Sequence, residues 1–366
     1  MKLFEPKNTK IMILLLMVVS LIGLVSFTYG QTVSENADPS YVIEHVNELQ
    51  AIPANTQWFI NNNRQYAATI NSGEIIIYTE QDNVWSEVQR LVSESSQFTT
   101  YQVKDIDNDQ SMEIIAGTSD PGFIFIYKLN QENLWNLTHY NKHLWAAITN
   151  IVIGSFSGVG LTEIVAQTQD SSLYLLRVSD KSLDLIWKSP SPWKPVQSFN
   201  PVDLDNDGTD ELVGIYKNGS VALMKVINNT VTSFGDNFPW GKILVAMSGD
   251  LNCDGLPEFI LSTSQKITYV LNFNGKKPFF KQAPLQFDYF IENMYFLNST
   301  QLIVSDTSGR LHLFEYIKNK WQETAAFQSG RISKINKSLN ENEVYLWEPN
   351  NQVLTFKKLP LNFDQP

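Results

Sequence analysis

Short apolar runs separated by turn residues recur along the whole chain. Each unit is an apolar run, a turn and a second apolar run. Seven copies are visible: Gln65-Tyr-Ala-Ala-Thr with Glu74-Ile-Ile-Ile-Tyr78, Glu113-Ile-Ile-Ala with Phe123-Ile-Phe-Ile-Tyr127, Glu163-Ile-Val-Ala with Leu173-Tyr-Leu-Leu176, Glu211-Leu-Val-Gly with Val221-Ala-Leu-Met224, Glu258-Phe-Ile-Leu with Ile267-Thr-Tyr-Val270, Gln301-Leu-Ile-Val with Leu311-His-Leu-Phe314, and Glu343-Val-Tyr-Leu with Val353-Leu-Thr-Phe356. The turns carry Ser-Gly, Asn-Gly or Asn-Asn, residues that suit tight hairpins. An aromatic follows in six units, at Trp85, Trp135, Trp187, Phe234, Phe280 and Trp321. Another apolar stretch precedes the hairpin, as at 196–202 and 243–247. No long segment of 3.6-residue period competes with this pattern.

Four strands per unit and seven units predict an all-β chain, a seven-bladed β-propeller with four-stranded antiparallel blades spanning 41–366. The aromatics are expected on outer strands, packed between blades. Two segments compete to close the ring. Residues 41–46 would add an outer strand to the last blade from the N-terminal side, and 359–363 would add it from the same blade.

A second repeat is laid over the first. Asp203-Leu-Asp205-Asn-Asp207-Gly208-Thr-Asp-Glu211 alternates three carboxylates along a loop and ends on a fourth. Asp105-Ile-Asp107-Asn-Asp109-Gln-Ser-Met-Glu113 and Asp250-Leu-Asn252-Cys-Asp254-Gly255-Leu-Pro-Glu258 keep the register. Ser155-Phe-Ser157-Gly-Val159-Gly-Leu-Thr-Glu163 keeps the spacing without the leading carboxylates. A hard cation such as Ca2+ takes six to eight oxygens at flexible geometry. Alternate loop residues point the same way, so Asp203, Asp205 and Asp207 can share one ion with Glu211, and the carbonyl of Thr209 can join them. The same reading takes Asp105, Asp107, Asp109, Ser111 and Glu113, and Asp250, Asn252, Asp254, Leu256 and Glu258. Three calcium sites of seven are expected. Blades 1 and 6 carry Asn61-Asn62-Asn63 and Asn298-Ser299-Thr300 instead, and blade 7 has the neutral oxygens of Asn336, Ser338 and Asn340. An EF-hand is excluded, because its last Glu stands at position 12 between helices. The competing reading is a set of turns capped by hydrogen bonds without metal.

The pattern D-x-D-N-D-G-x-x-E before an apolar run resembles the FG-GAP/VCBS repeats of integrin-α-like β-propellers. That resemblance implies a calcium loop between the first two strands of a blade. Many family loops end on Asp; all the copies here end on Glu.

Net charge over the 366 residues is −11. Residues 1–30 carry three Lys and one Glu, so the remainder stands at −13. Such an acidic chain excludes a nucleic-acid partner, which needs a basic surface. Lys2, Lys7 and Lys10 precede an apolar run over 11–25, and Thr28-Tyr29-Gly30 follows as a cleavage-like site. Residues 1–30 therefore read as a signal peptide, or as an N-terminal membrane tether through 11–29, with 31–40 as a linker. Either address places the remainder outside the cytoplasm, secreted or membrane-anchored. The one cysteine, Cys253, allows no intramolecular disulfide.

Ten residues before each acidic loop stand Trp145, Trp193, Trp240 and Phe287. That register falls on the face opposite the loops. The aromatics there either stack on a sugar or peptide or wedge between blades. The polar groups nearby are His143, Lys194, Lys242 and Arg331, a sparse set for an active site. Neither a G-x-S-x-G elbow nor a P-loop is present. The expected function is a calcium-binding scaffold that holds a protein or glycan at the cell surface. A polysaccharide-degrading lyase or hydrolase is the rival.

Overall fold

A computed structural model describes residues 41–45, 53, 56–81, 84–141, 145–179, 182–190, 192–193, 196–234, 242–273, 277–338, 343–349 and 352–358. The targeting segment, the linker, Trp240 and the 359–363 alternative for closure lie outside them.

The described strands form seven four-stranded antiparallel sheets, the seven blades predicted from the repeats. Blade 4 shows the order. Val196–Val202 comes first, then Glu211–Tyr216, Val221–Ile227 and Thr230–Ser233, each paired with the one before. First strands of neighbouring blades approach one another around the ring, so they are innermost. The blades run over 57–91, 98–140, 148–188, 196–233, 243–282, 291–328 and 334–358.

The unbroken apolar runs follow from burial on both faces. In the strand Glu163–Thr168, Ile164 and Ala166 join the core shared with blade 2, while Val165 joins the core shared with blade 4. Side chains alternate between the two faces of a strand, and here both faces are covered by a neighbouring blade. The apolar clusters sit between blades, one at each junction of the ring. The outer-strand aromatics serve these junctions as expected: Trp135 of blade 2 meets Phe59 and Tyr66 of blade 1 edge-on at 5.7 and 6.2 Å.

Closure uses the N-terminal segment. Tyr41–His45 pairs antiparallel with Val353–Lys358 and supplies the outer strand of blade 7. Tyr41 stacks on Phe356 at 5.2 Å, and its hydroxyl accepts a bond from Gln301 Nε2 at 2.7 Å. The junction of blade 7 with blade 1 is aromatic. Trp58 lies 4.8 Å from Trp85, 5.1 Å from Tyr345 and 6.1 Å from Trp347, ring to ring. One chain end thus pins the other by strand pairing and ring stacking.

Deleting residues 1–45 is expected to lower the thermal midpoint by several degrees more than deleting 1–40. The longer cut leaves Val353–Lys358 an unpaired edge and uncovers Phe356. Equal midpoints would show that the added strand does not hold the ring.

Candidate metal centre

The three acidic segments join the first and second strands of blades 2, 4 and 5, where the family resemblance placed them. With the nine loop residues numbered in order, the even and odd positions divide the work. Position 2 plugs the core between blades: Ile106, Phe156 and Leu251 are buried there, and Leu204 packs at its edge. This plug turns positions 1, 3 and 5 outward together. Position 4 lies in the left-handed region at Asn108, Asn206 and Cys253, with φ of 61, 55 and 58°. Asn tolerates that conformation better than most residues. Position 6 is left-handed too, and it is Gly208 and Gly255 in two loops but Gln110 in blade 2.

Position 9 anchors the loop. Glu113, Glu163 and Glu211 are fully buried, and Glu258 is half-buried. One oxygen of each accepts a bond from a backbone N–H early in its own loop: Ile106 at 2.9 Å, and Ser157, Leu204 and Leu251 at 2.8 Å. Position 1 closes the turn, as Asp203 accepts from Asp207 and Gly208 N–H and Asp250 from Asp254 and Gly255 N–H. These are the bonds that the capped-turn reading predicts. They leave other carboxylate oxygens gathered. Atoms of Asp105, Asp107 and Glu113 lie within 4.8 Å of one another, as do those of Asp203, Asp205 and Glu211, and of Asp250, Asp254 and Glu258.

The three clusters differ in what meets their charge. In blade 4, Lys225 on the third strand extends its ammonium into the loop. It lies 3.1 and 3.0 Å from the Asp205 oxygens, 2.7 Å from Asp207 and 2.5 Å from Glu211. In blade 2, Lys128 bonds Asp107 but lies 3.8 Å from Glu113. Asp105 Oδ1 and Glu113 Oε1 stay buried without a hydrogen-bond partner. In blade 5 the equivalent residue is Asn272, and among the described residues no ammonium or guanidinium pairs with Asp250, Asp254 or Glu258. There the Asn252 amide bonds Glu258 and Asp254 instead. Blade 3, which lacks the leading carboxylates, pairs Glu163 with Arg177 at 2.8 Å. The donors of blades 2 and 5 suit a hard cation, by orphaned buried oxygens in one and uncompensated charge in the other. Sequence reading missed the basic residues of the third strand. The signal was present, since Arg177 and Lys225 both stand fourteen residues after the anchoring glutamate.

Burial pushes Glu113 up to about 7, against the pull of the Ile106 N–H and Lys128. Burial raises Glu211 and Glu258 as well. For Lys225, burial disfavours the ammonium, but bonds to Asp207, Glu211 and Asp205 outweigh it and hold the amine above the usual lysine range.

Among the described residues, the aromatics opposite the loops form no open platform. Trp145 is buried and stacks on Tyr174 at 3.9 Å. Phe287 is buried and meets Phe314 edge-on at 5.5 Å. Trp193 is half-buried against the core between blades 3 and 4. These residues wedge between blades, which corrects their reading as a ligand face for Trp145 and Phe287. Arg331 is paired with Glu292 at 2.5 Å. His312, assigned no role by sequence, is buried between Glu323 at 3.0 Å and Asp306 at 3.4 Å under a stacked Tyr289. Two openings lie between blades 2 and 3. A groove of about 550 Å³ on the loop side and one of about 310 Å³ beyond it share Thr138 and His139. Tyr140, Leu161 and Leu185 line them and are 51, 38 and 42% exposed.

A glutamate whose folded pKa is raised binds protons in the folded state that the unfolded chain has already released. The contribution of Glu113 to stability therefore falls as pH rises from 4.5 towards 7. In chelator, Glu113→Gln is expected to flatten that fall, with wild type losing up to about 3 kcal/mol relative to the variant across the window. Parallel unfolding curves for the two proteins would contradict the burial of this charge.

No family model matches the chain, and no curated protein matches it. Solved structures share its shape. The crystal structure of Saccharomyces cerevisiae Sqt1 superposes with a TM-score of 0.55 at 11% identity, covering 81% of each chain. The BBS1N chain crystallised with ARL6DN superposes with a TM-score of 0.56 at 10% identity, over 87% of this chain and 96% of that one. At such identities the likeness is one of fold, and the fold they share with this chain is the propeller.

Proposed function

We propose that this propeller is a binding module that works outside the cytoplasm and holds a protein or glycan partner at the cell surface. The observation that carries the reading is the cleft between blades 2 and 3. It combines partly exposed Tyr140, Leu161 and Leu185 with the polar groups of Asp107, His139 and Asp184. Apolar anchors rimmed by polar groups suit recognition. The BBS1 propeller was crystallised in complex with ARL6, which supports partner binding as a use of such a fold. Fold alone does not assign function, so the cleft is the part to test. The basic, apolar and small residues of 1–30 support the address.

The acidic loops support membership of the FG-GAP/VCBS group, and with it Ca2+ in blades 2 and 5. Asp105, Asp107, Asp109 and Glu113 would hold one ion, and Asp250, Asn252, Asp254 and Glu258 the other. The ion would neutralise buried carboxylates and tie the first strand of a blade to the second. It supplies no chemistry beyond that role.

Labelled residues 31–366 are expected to bind intact cells of the source organism. Leu185→Glu combined with Tyr140→Ala should reduce that binding at least tenfold without lowering the thermal midpoint. Unchanged binding would remove the cleft from the account. Saturating Ca2+ should raise the midpoint relative to chelator, by roughly 2.7 kcal/mol per site at a hundredfold excess over Kd. Asp107→Asn and Asp254→Asn should each remove part of that gain. No gain in wild type would leave the loops as metal-free turns.

A further inference from the structure

The loop of blade 4 has the fullest carboxylate set, yet it is the one in which a side chain already stands at the centre. We infer that the ammonium of Lys225 is the resident cation of this loop, and that blade 4 takes no metal. Four carboxylate oxygens from Asp205, Asp207 and Glu211 surround Nζ at 2.5 to 3.1 Å. Two of those residues, Asp205 and Glu211, belong to the cluster that would hold an ion. A divalent cation at that centre would stand beside an ammonium, so it binds only if Lys225 leaves.

Leaving is opposed by the fold. The Lys225 side chain is 13% exposed, and its ammonium lies 5.9 Å from the Phe273 ring of blade 5. Its backbone is fixed, because Lys225 is paired with Thr232 inside the blade. A tethered cation has a high local concentration that a free ion must overcome. Its departure would also strip Glu211, a fully buried carboxylate, of its only ion pair among the described residues.

The neighbouring blades form a series with this one. Arg177 stands at the same position in blade 3 and gives Glu163 two bonds, at 2.8 and 3.2 Å. Lys128 in blade 2 hydrogen-bonds Asp107, stays 3.8 Å from Glu113, and leaves buried oxygens without a hydrogen bond. Asn272 in blade 5 carries no charge. The anchoring glutamate is thus paired closely within the chain in blades 3 and 4, only at 3.8 Å in blade 2, and with no cation among the described residues in blade 5. The number of metal sites follows from the third strand, which the loop motif does not contain.

The inference is tested on residues 31–366 by unfolding in chelator and by counting bound Ca2+ at saturation. In chelator, Lys225→Met is expected to lower the midpoint by several degrees, and Ca2+ should restore part of the loss in that variant by filling the emptied centre. The count should rise by one in Lys225→Met and stay unchanged in Asp205→Asn. A lost ion in Asp205→Asn, or a midpoint in chelator that Lys225→Met leaves unmoved, would overturn the inference. It is separable from the calcium reading of blades 2 and 5. If wild type binds no Ca2+ at all, that reading fails, while the chelator arm still decides the role of Lys225.

Discussion

A buried or half-buried carboxylate at the first residue of the second strand is the constraint on which each loop-bearing blade depends. Glu113, Glu163, Glu211 and Glu258 hold that position. Each bonds a backbone N–H of its own loop, so the first and second strands are tied at their shared end. A charge taken out of water must be met by partners or the site is unstable. A cation or a bound proton meets that charge, and the raised pKa of Glu113 shows the second route. Arginine is the cation in blade 3 and lysine in blade 4. In blades 2 and 5 the proposed divalent cation completes what the chain leaves open.

The same rim joins neighbouring blades. Asn61 of blade 1 bonds Ser111 and the Met112 carbonyl of the blade 2 loop. Asp210 of the blade 4 loop exchanges two bonds of 2.8 Å with Ser155 of blade 3. Trp321 of blade 6 donates to the Leu251 carbonyl in the blade 5 loop at 2.6 Å. Beneath them lie the cores between blades. A change in the charge of one loop is therefore felt by two blades, through the position 2 plug and through these bonds. The loops of blades 2 and 3 also line the loop-side groove of the proposed binding cleft, through Asp107 and Leu161.

Much of this was legible in the sequence because the repeats report both periods at once. Apolar runs such as Glu163-Ile-Val-Ala fixed strands buried on two faces, and the aromatics fixed the blade junctions. The D-x-D-N-D register placed the loops between the right strands, while the left-handed turns at Asn108 and Asn206 emerged only in the structure. Closure was half legible, since both candidate segments were apolar and only the pairing of Tyr41–His45 with Val353–Lys358 chose between them. The aromatics opposite the loops misled, because an exposed platform and a wedge need the same residue types. Trp145 is a wedge owing to Tyr174, whose partnership depends on packing across strands. The role of Lys225 was hidden for a related reason. A lysine on a strand reads as a solvated charge until the register sets it opposite Glu211.

A crystal structure of residues 31–366 grown with Ca2+, with anomalous scattering recorded at a wavelength where calcium stands out, tests the central claim most directly. The account predicts anomalous peaks within the loops of blades 2 and 5, and the Lys225 ammonium among Asp205, Asp207 and Glu211 in blade 4. A calcium peak in blade 4 with Lys225 turned away would contradict it.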